Sequence, residues 1–373
     1  MNADLSSWHK YPRRRRSALA ALATLTASLA IQAGAQGFAG LGTDAEGFAL
    51  PSRETALAFP ADHGPHPDYR IEWWYLTANL SGEDGRDYGI QWTLFRSAVA
   101  PEAGVPVEGW QSPQIWMGHA GLTTPEAHFS AERLARGGIG QAGVVAAPFE
   151  AWIDDWRIAS TGDGSDEYDT LALSASGSDF TYRLELDADG PLIFHGERGY
   201  SVKSPEGQAS HYYSQPYYQV TGTLYLPDGQ VAVTGEGWLD REWSSQPLAP
   251  TQDGWDWVSL HFDSGDKLMG FRLRDREGPP FTSATWIAAD GSATALGDGA
   301  LRLTPLAETE VNGAAIPTRW KVELPQRELW VELDALNPQA WMATSFPYWE
   351  GPVRITGSHP GRGYLEMTGY GAE

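Results

Sequence analysis

Four aspartate–glycine pairs, Asp84-Gly85, Asp189-Gly190, Asp228-Gly229 and Asp290-Gly291, each stand between apolar runs. Such pairs supply the positive φ angles that a two-residue β-hairpin turn demands, so each predicts a chain reversal between strands. The flanking runs alternate. Tyr88, Ile90, Trp92 and Leu94 face one way, with Gln91 and Thr93 opposite. Val220, Leu224 and Leu226 oppose Thr221, Thr223 and Tyr225, and Trp320, Val322 and Leu324 oppose Lys321 and Glu323. A period of two is the mark of a half-buried antiparallel strand. Helical signals are sparse: Ser130 can cap a short helix over Ala131 to Arg136, ended by Gly137. Many short strands and almost no helix predict an all-β sandwich or barrel, and periodicity alone leaves these two open.

The N-terminus reads differently. Arg13 to Arg16 precede an uncharged apolar run, Ala18 to Ile31, followed by Ala33-Gly34-Ala35 before Gln36. Basic, apolar and small-residue segments in that order predict a secretory signal peptide over 1–35, routed by the general or the twin-arginine exporter. The apolar run is shorter than the ~20 residues that span a bilayer, and no later segment is apolar enough, so no transmembrane span is expected after cleavage. Beyond residue 35 there are 21 basic against 47 acidic residues, about 26 net negative charges. That surface repels phosphate backbones and excludes nucleic acid as a partner. The chain has no cysteine, which rules out disulfides, thiolate metal sites and cysteine nucleophiles. Sixteen of its 17 tryptophans also lie beyond residue 35, enough to predict an aromatic-lined cavity besides the core.

Three blocks carry a family resemblance. The first is His66-Pro67-Asp68-Tyr69-Arg70-Ile71-Glu72-Trp73-Trp74-Tyr75-Leu76, and the second is Gly237-Trp238-Leu239-Asp240-Arg241-Glu242-Trp243. The third is Tyr348-Trp349-Glu350-Gly351 with Gly363-Tyr364-Leu365-Glu366-Met367-Thr368-Gly369-Tyr370. In this order they resemble the signatures of the carotenoid 1,2-hydratase/AttH-like family of exported lipocalin-like proteins. The resemblance implies two lipocalin-like (calycin-type) antiparallel β-barrel domains packed together, which decides barrel over sandwich. On that reading, residues 36–60 are an irregular leader, 61–243 the N-terminal domain and 244–373 the C-terminal domain. It further implies a small hydrophobic, isoprenoid- or lipid-like ligand and a hydro-lyase activity on an isolated C=C bond. The alternatives are a non-catalytic carrier working with an envelope transporter, and a structural barrel filled by its own side chains.

Hydrating an isolated alkene needs a strong acid in a dry pocket, ring faces to stabilise the cation, and a polar group to hold water. Glu72 stands among Trp73, Trp74 and Tyr75, and Asp240 and Glu242 stand between Trp238 and Trp243, making all three carboxylates candidate acids. The same residues, with Arg70 and Arg241, can equally pair as buried ions that hold the structure in register. Hydratases of carotenoid precursors carry His-Asn-Trp where this chain has Arg241-Glu242-Trp243. The tryptophan carries over, but arginine cannot replace histidine as a proton donor. His211 and Tyr213, His119 after Trp116, and His261 on the strand face of Trp255, Trp257 and Ser259 are candidate cavity-wall residues. There is no G-x-S-x-G elbow, no H-E-x-x-H and no phosphate-binding glycine loop, and no positive sign of a metal or an organic cofactor.

Overall fold

The computed structural model describes residues 45–101, 109–162 and 164–370. The expected signal peptide, 1–35, and the first part of the leader lie outside the described residues. Residues 45–60 contain no strand, and regular non-strand structure among the described residues is limited to three-residue 3₁₀ turns.

The first sheet has 13 strands. They are β1 (Ile71–Gly82), β2 (Asp87–Ala98), β3 (Gln114–Thr123), β4 (His128–Arg136), β5 (Ala142–Ala146) and β6 (Phe149–Ile153). There follow β7 (Trp156–Ser160), β8 (Thr170–Ser176), β9 (Thr181–Ala188), β10 (Ile193–Phe194) and β11 (Tyr200–Val202). The long β12 (Ala209–Leu226) and β13 (Gly229–Ser244) complete it. Its order is β4-β3-β2-β1-β13-β12-β9-β8-β7-β6-β5, with β10 and β11 added against β12. The sheet curls until β6 packs across the interior on β2, β3 and β4, giving a nearly closed antiparallel barrel.

The second sheet has ten strands and forms a half-barrel. They are β14 (Gln252–Phe262), β15 (Lys267–Asp275), β16 (Phe281–Ile287), β17 (Ala293–Leu296) and β18 (Arg302–Val311). Then come β19 (Ala314–Leu324), β20 (Leu329–Ala335), β21 (Trp341–Met342), β22 (Tyr348–Gly357) and β23 (Gly361–Met367). The order is β17-β16-β15-β14-β23-β22-β20-β19-β18, with β21 on β22.

Three of the four Asp-Gly pairs close the hairpins β1–β2, β12–β13 and β16–β17. Asp189-Gly190 does not, because β9 pairs with β8 and β12 while the chain beyond it turns away to place β10 on β12. The helix expected over Ala131–Arg136 is strand β4, paired along its whole length with β3. A segment of under two turns cannot meet the cost of helix nucleation, and a free sheet edge satisfies its backbone groups instead.

The barrel interior is solid. Trp74, Trp92, Trp156 and Trp243 fill it with Tyr88, Tyr182 and Tyr218, all but inaccessible to solvent. The aromatic space is therefore not a barrel lumen. It lies where the outer face of β1, β2, β12 and β13 meets the outer face of β14, β15, β22 and β23, whose other face packs on the half-barrel's own core. Gln91 and Thr93, read from the alternation as solvent-facing, are buried at 1% and 2% exposure because the second sheet covers them. Gly89 allows the close approach: a Cβ there would stand 2.5 Å from Pro352 Cγ of the facing strand.

Candidate functional site

Strand alternation sorts the candidate residues onto two faces. On β1, Trp73 and Tyr75 point outward, while Glu72 and Trp74 point into the barrel. On β13, their cross-strand partners follow suit: Trp73 sits opposite Glu242 and Tyr75 opposite Asp240, whereas Trp74 sits opposite Arg241 and Glu72 opposite Trp243.

The outward set lines a cleft between the sheets, with about 710 Å³ of space between atoms, part of it open to solvent. Trp73, Tyr75, Phe95 and Tyr212 form one wall, and Trp255, Trp257, Phe271 and Leu273 the other. Polar groups converge in this apolar setting. Asp240 is buried at 2% exposure. Its Oδ1 accepts from Ser214 Oγ and, at 2.6 Å, from Trp238 Nε1; its Oδ2 lies 2.6 Å from the Tyr212 hydroxyl. Trp257 Nε1 donates to that hydroxyl at 3.1 Å. Burial, helped by the neighbouring Glu242 charge, pushes the Asp240 carboxyl up to about 7 against the pull of its three donors.

Glu366 enters from β23 and accepts from Trp255 Nε1 at 3.0 Å. Burial, with Asp240 and Glu242 nearby, raises it to about 8. Glu350 is its cross-strand partner on β22. Burial first, and then the Glu366 charge, raise Glu350 well above the usual carboxylate range. Its Oε1 accepts from Tyr75 and its Oε2 is buried without a partner. Glu242 is different: its Oε1 meets Lys203 Nζ at 2.7 Å and accepts from Ser210. The cleft thus holds protonatable acids at one end and an ion pair at the other.

The inward set forms a cap on the barrel. Glu72 is fully buried between Arg96 and Arg241, with His66 in reach. Burial pushes its carboxyl up, but the two guanidinium groups and His66 outweigh burial and hold it well below the usual range. Glu72 is consequently an ionised anchor and no proton donor. Arg241 lies 3.9 Å over the Trp74 ring and 4.8 Å over Trp243. His66 stacks on Trp243 at 3.9 Å. Tyr213 lies 2.8 Å from His63 Nδ1, and His211 packs against Trp243, burial pushing its imidazole down to about 4.

Two candidate histidines stand near the cleft without lining it. His119 reaches the Tyr348 hydroxyl at 3.0 Å, and burial lowers its imidazole against the pull of Glu132. His261 packs on Trp238 at 5.6 Å, and burial likewise lowers it against Glu236. Of the candidate residues, the structure brings Trp73, Tyr75, Trp238, Asp240, Glu242 and Trp257 together. It gathers Glu72, Trp74, His211, Tyr213, Arg241 and Trp243 on the opposite face.

Lys203, Tyr212 and Glu366 line the cleft, Glu350 sits beside Glu366 on the next strand, and all four escaped the sequence reading. Glu350 and Glu366 lie within the third signature block, each two residues after a tyrosine on the strand face turned to the first sheet, and that pattern was the available signal. Lys203 follows a three-residue strand and has none. Among the described residues, no group of three or more His, Asp or Glu side chains is arranged to hold a metal ion.

Residues 50–370 match the model of the AttH-like family. The chain is 32% identical to an AttH protein of Nitrosomonas europaea, over 87% of this chain and 100% of that one, with a TM-score of 0.76. Kievitone hydratase from Nectria haematococca superposes with a TM-score of 0.60 at 16% identity, over 86% of this chain and 98% of that one. CghA gives 0.50 at 13% identity, over 86% and 96%. At those identities the latter two show the fold alone. No curated protein matches the chain.

Proposed function

The chain belongs to the AttH-like family, and we propose that it is an exported protein whose inter-sheet cleft binds a hydrophobic alkene of isoprenoid type and adds water across an isolated double bond. The observation that carries this reading is the pair Asp240 and Glu366, two carboxyls pushed to about 7 and about 8 inside an aromatic cleft. A carboxylic acid that keeps its proton near neutral pH is what protonation of an unactivated alkene requires. The proton adds to the less substituted alkene carbon. The ring faces of Trp73, Trp255 and Trp257 stabilise the tertiary cation left behind. Water, held at the Lys203–Glu242 end, adds to the cation and its surplus proton restores the acid. Atoms balance as alkene plus water to tertiary alcohol. The name of the fold neighbour kievitone hydratase supports the reaction class. A carrier, by contrast, has no use for two desolvated carboxyls at its binding surface.

The test is incubation of the purified protein with prenylated phenols and acyclic isoprenoids in ¹⁸O-labelled water. The reading expects a labelled tertiary alcohol, and a loss of roughly 100-fold or more in Asp240→Asn, the scale of one general acid. No labelled product from any alkene, or undiminished turnover in Asp240→Asn, contradicts it.

A further inference from the structure

The hydrogen bonds around Asp240 have a direction. Trp238 and Trp257 can only donate. Trp238 Nε1 therefore donates to Asp240 Oδ1, and Trp257 Nε1 donates to the Tyr212 oxygen. Behind Asp240, His195 Nε2 lies 2.6 Å from Ser214 Oγ, and His195 Nδ1 lies 2.9 Å from Thr285 Oγ1. His195 is inaccessible to solvent, and burial, with Lys203 nearby, lowers its imidazole well below the usual range, so it is neutral and carries one ring proton. With that proton on Nε2, Thr285 donates to His195, His195 to Ser214, and Ser214 to Oδ1. Every bond then converges on Asp240 Oδ1, which has two donors and no room for a proton. The only position left for the carboxyl proton is Oδ2, facing Tyr212.

We propose that Tyr212 is the group that presents the proton to the ligand, with Asp240 behind it as the acid that reloads it and His195–Ser214 as the positioning pair that keeps the proton on the Tyr212 side. When Asp240 is ionised, Tyr212 spends its hydroxyl hydrogen on Oδ2. When Asp240 is protonated, Oδ2–H donates to the Tyr212 oxygen, which already accepts from Trp257, and the Tyr212 hydrogen turns into the cleft that this residue lines. In the reacting step the Tyr212 O–H bond breaks as the substrate C–H bond forms, while the Asp240 proton moves to Tyr212. Asp240 is left as the carboxylate, and the proton released by the added water returns along the same two oxygens. This assignment rests on the hydratase reading for its ligand, but its switch is a property of the free protein. The charged and titratable groups facing Asp240 are Glu242 on its own strand, Tyr212 on β12, Lys203 before it, Tyr75 on β1 and Glu366 on β23.

The test uses the ligand-free full chain across about pH 5 to about pH 9. Infrared spectra of ¹³C-aspartate-labelled protein, taken as wild type minus Asp240→Asn, isolate the Asp240 carboxyl band. Raman spectra, taken as wild type minus Tyr212→Phe, isolate the tyrosine doublet that distinguishes a donating from an accepting phenol. The expected result is that the carboxyl band disappears near pH 7 and the Tyr212 doublet changes in the same step. Burial, followed by the Asp240 charge, raises the phenol itself well above its ordinary value, so its own ionisation does not intrude. In Asp240→Asn the doublet should stay in the accepting form throughout, and in Ser214→Ala the step should shrink while Asp240 still titrates. A Tyr212 doublet that ignores the Asp240 titration, or that still switches in Asp240→Asn, overturns the proposal. A cleft that switches Tyr212 yet hydrates no alkene overturns the hydratase reading and leaves the relay; one that hydrates with Tyr212 fixed does the reverse.

Discussion

Replacing Asp240 by asparagine removes a charge that this fold resists. In the unfolded chain an aspartate ionises near its ordinary 3.8, whereas in the cleft it holds its proton to about 7. Between those values the folded state binds the extra proton, so stability falls as pH rises. The loss approaches 1.4 kcal/mol per pH unit and integrates to about 2.5 kcal/mol from about pH 5 to about pH 8. With an unfolding entropy of about 2 cal/mol/K per residue over the roughly 320 described residues, that is about 4 °C in Tm. Asparagine mimics the protonated state: its oxygen accepts from Ser214 and Trp238, and its amide donates to Tyr212. Glu366 and Glu350 are present in both proteins, so the difference between the two reports Asp240 together with its push on Glu366. Calorimetry at the two pH values should show the variant gaining about 4 °C on wild type at the higher pH relative to the lower. Parallel Tm curves, or a variant that loses ground as pH rises, refute the reasoning.

Other outcomes follow from the same geometry. Glu72→Gln strands Arg96 and Arg241 in a dry interior and should cost about 3–5 kcal/mol in urea denaturation, whereas Glu242→Gln, which leaves the single Lys203 over the Tyr212 and Phe271 rings, should cost less. Trp74→Ala empties the barrel core and should cost about 3–5 kcal/mol. Trp257→Ala should leave more of the stability intact while weakening fluorescence quenching by a bound polyene. Gly89→Val drives a branched side chain into Pro352 and should loosen the two sheets, seen as faster amide exchange in β2 and β22.

Much of this architecture was legible in the chain. Alternation along Tyr88–Leu94 and around His261 assigns the correct faces, because a strand's period of two survives whatever packs on it. Alternation cannot say what covers a face, so Gln91 and Thr93 read as solvent-exposed although a second sheet lies on them. The same gap explains the site. Glu72, Asp240 and Glu242 look alike in sequence, each a carboxylate amid tryptophans. Glu72 points inward to two arginines, one of them on β2, and is ionised. Asp240 points outward to hydroxyl and indole donors and holds its proton up to about 7. Glu366 meets Asp240 from a strand more than a hundred residues away, a proximity set by the packing of the sheets and written in no local pattern. The helix misread at Ala131–Arg136 has the same origin, since an available sheet edge overrode a weak local preference.

The claim that binding and chemistry occupy the inter-sheet cleft is tested most directly by locating a ligand. Crystals soaked with a brominated prenyl phenol, with the bromine placed by anomalous diffraction, supply that measurement. The expected result is a bromine peak in contact with Trp73, Trp255 or Trp257, and its loss in a Trp257→Ala crystal. Bromine inside the first barrel among Trp74, Trp92 and Trp243, or no ordered bromine in the cleft at saturating ligand, contradicts it.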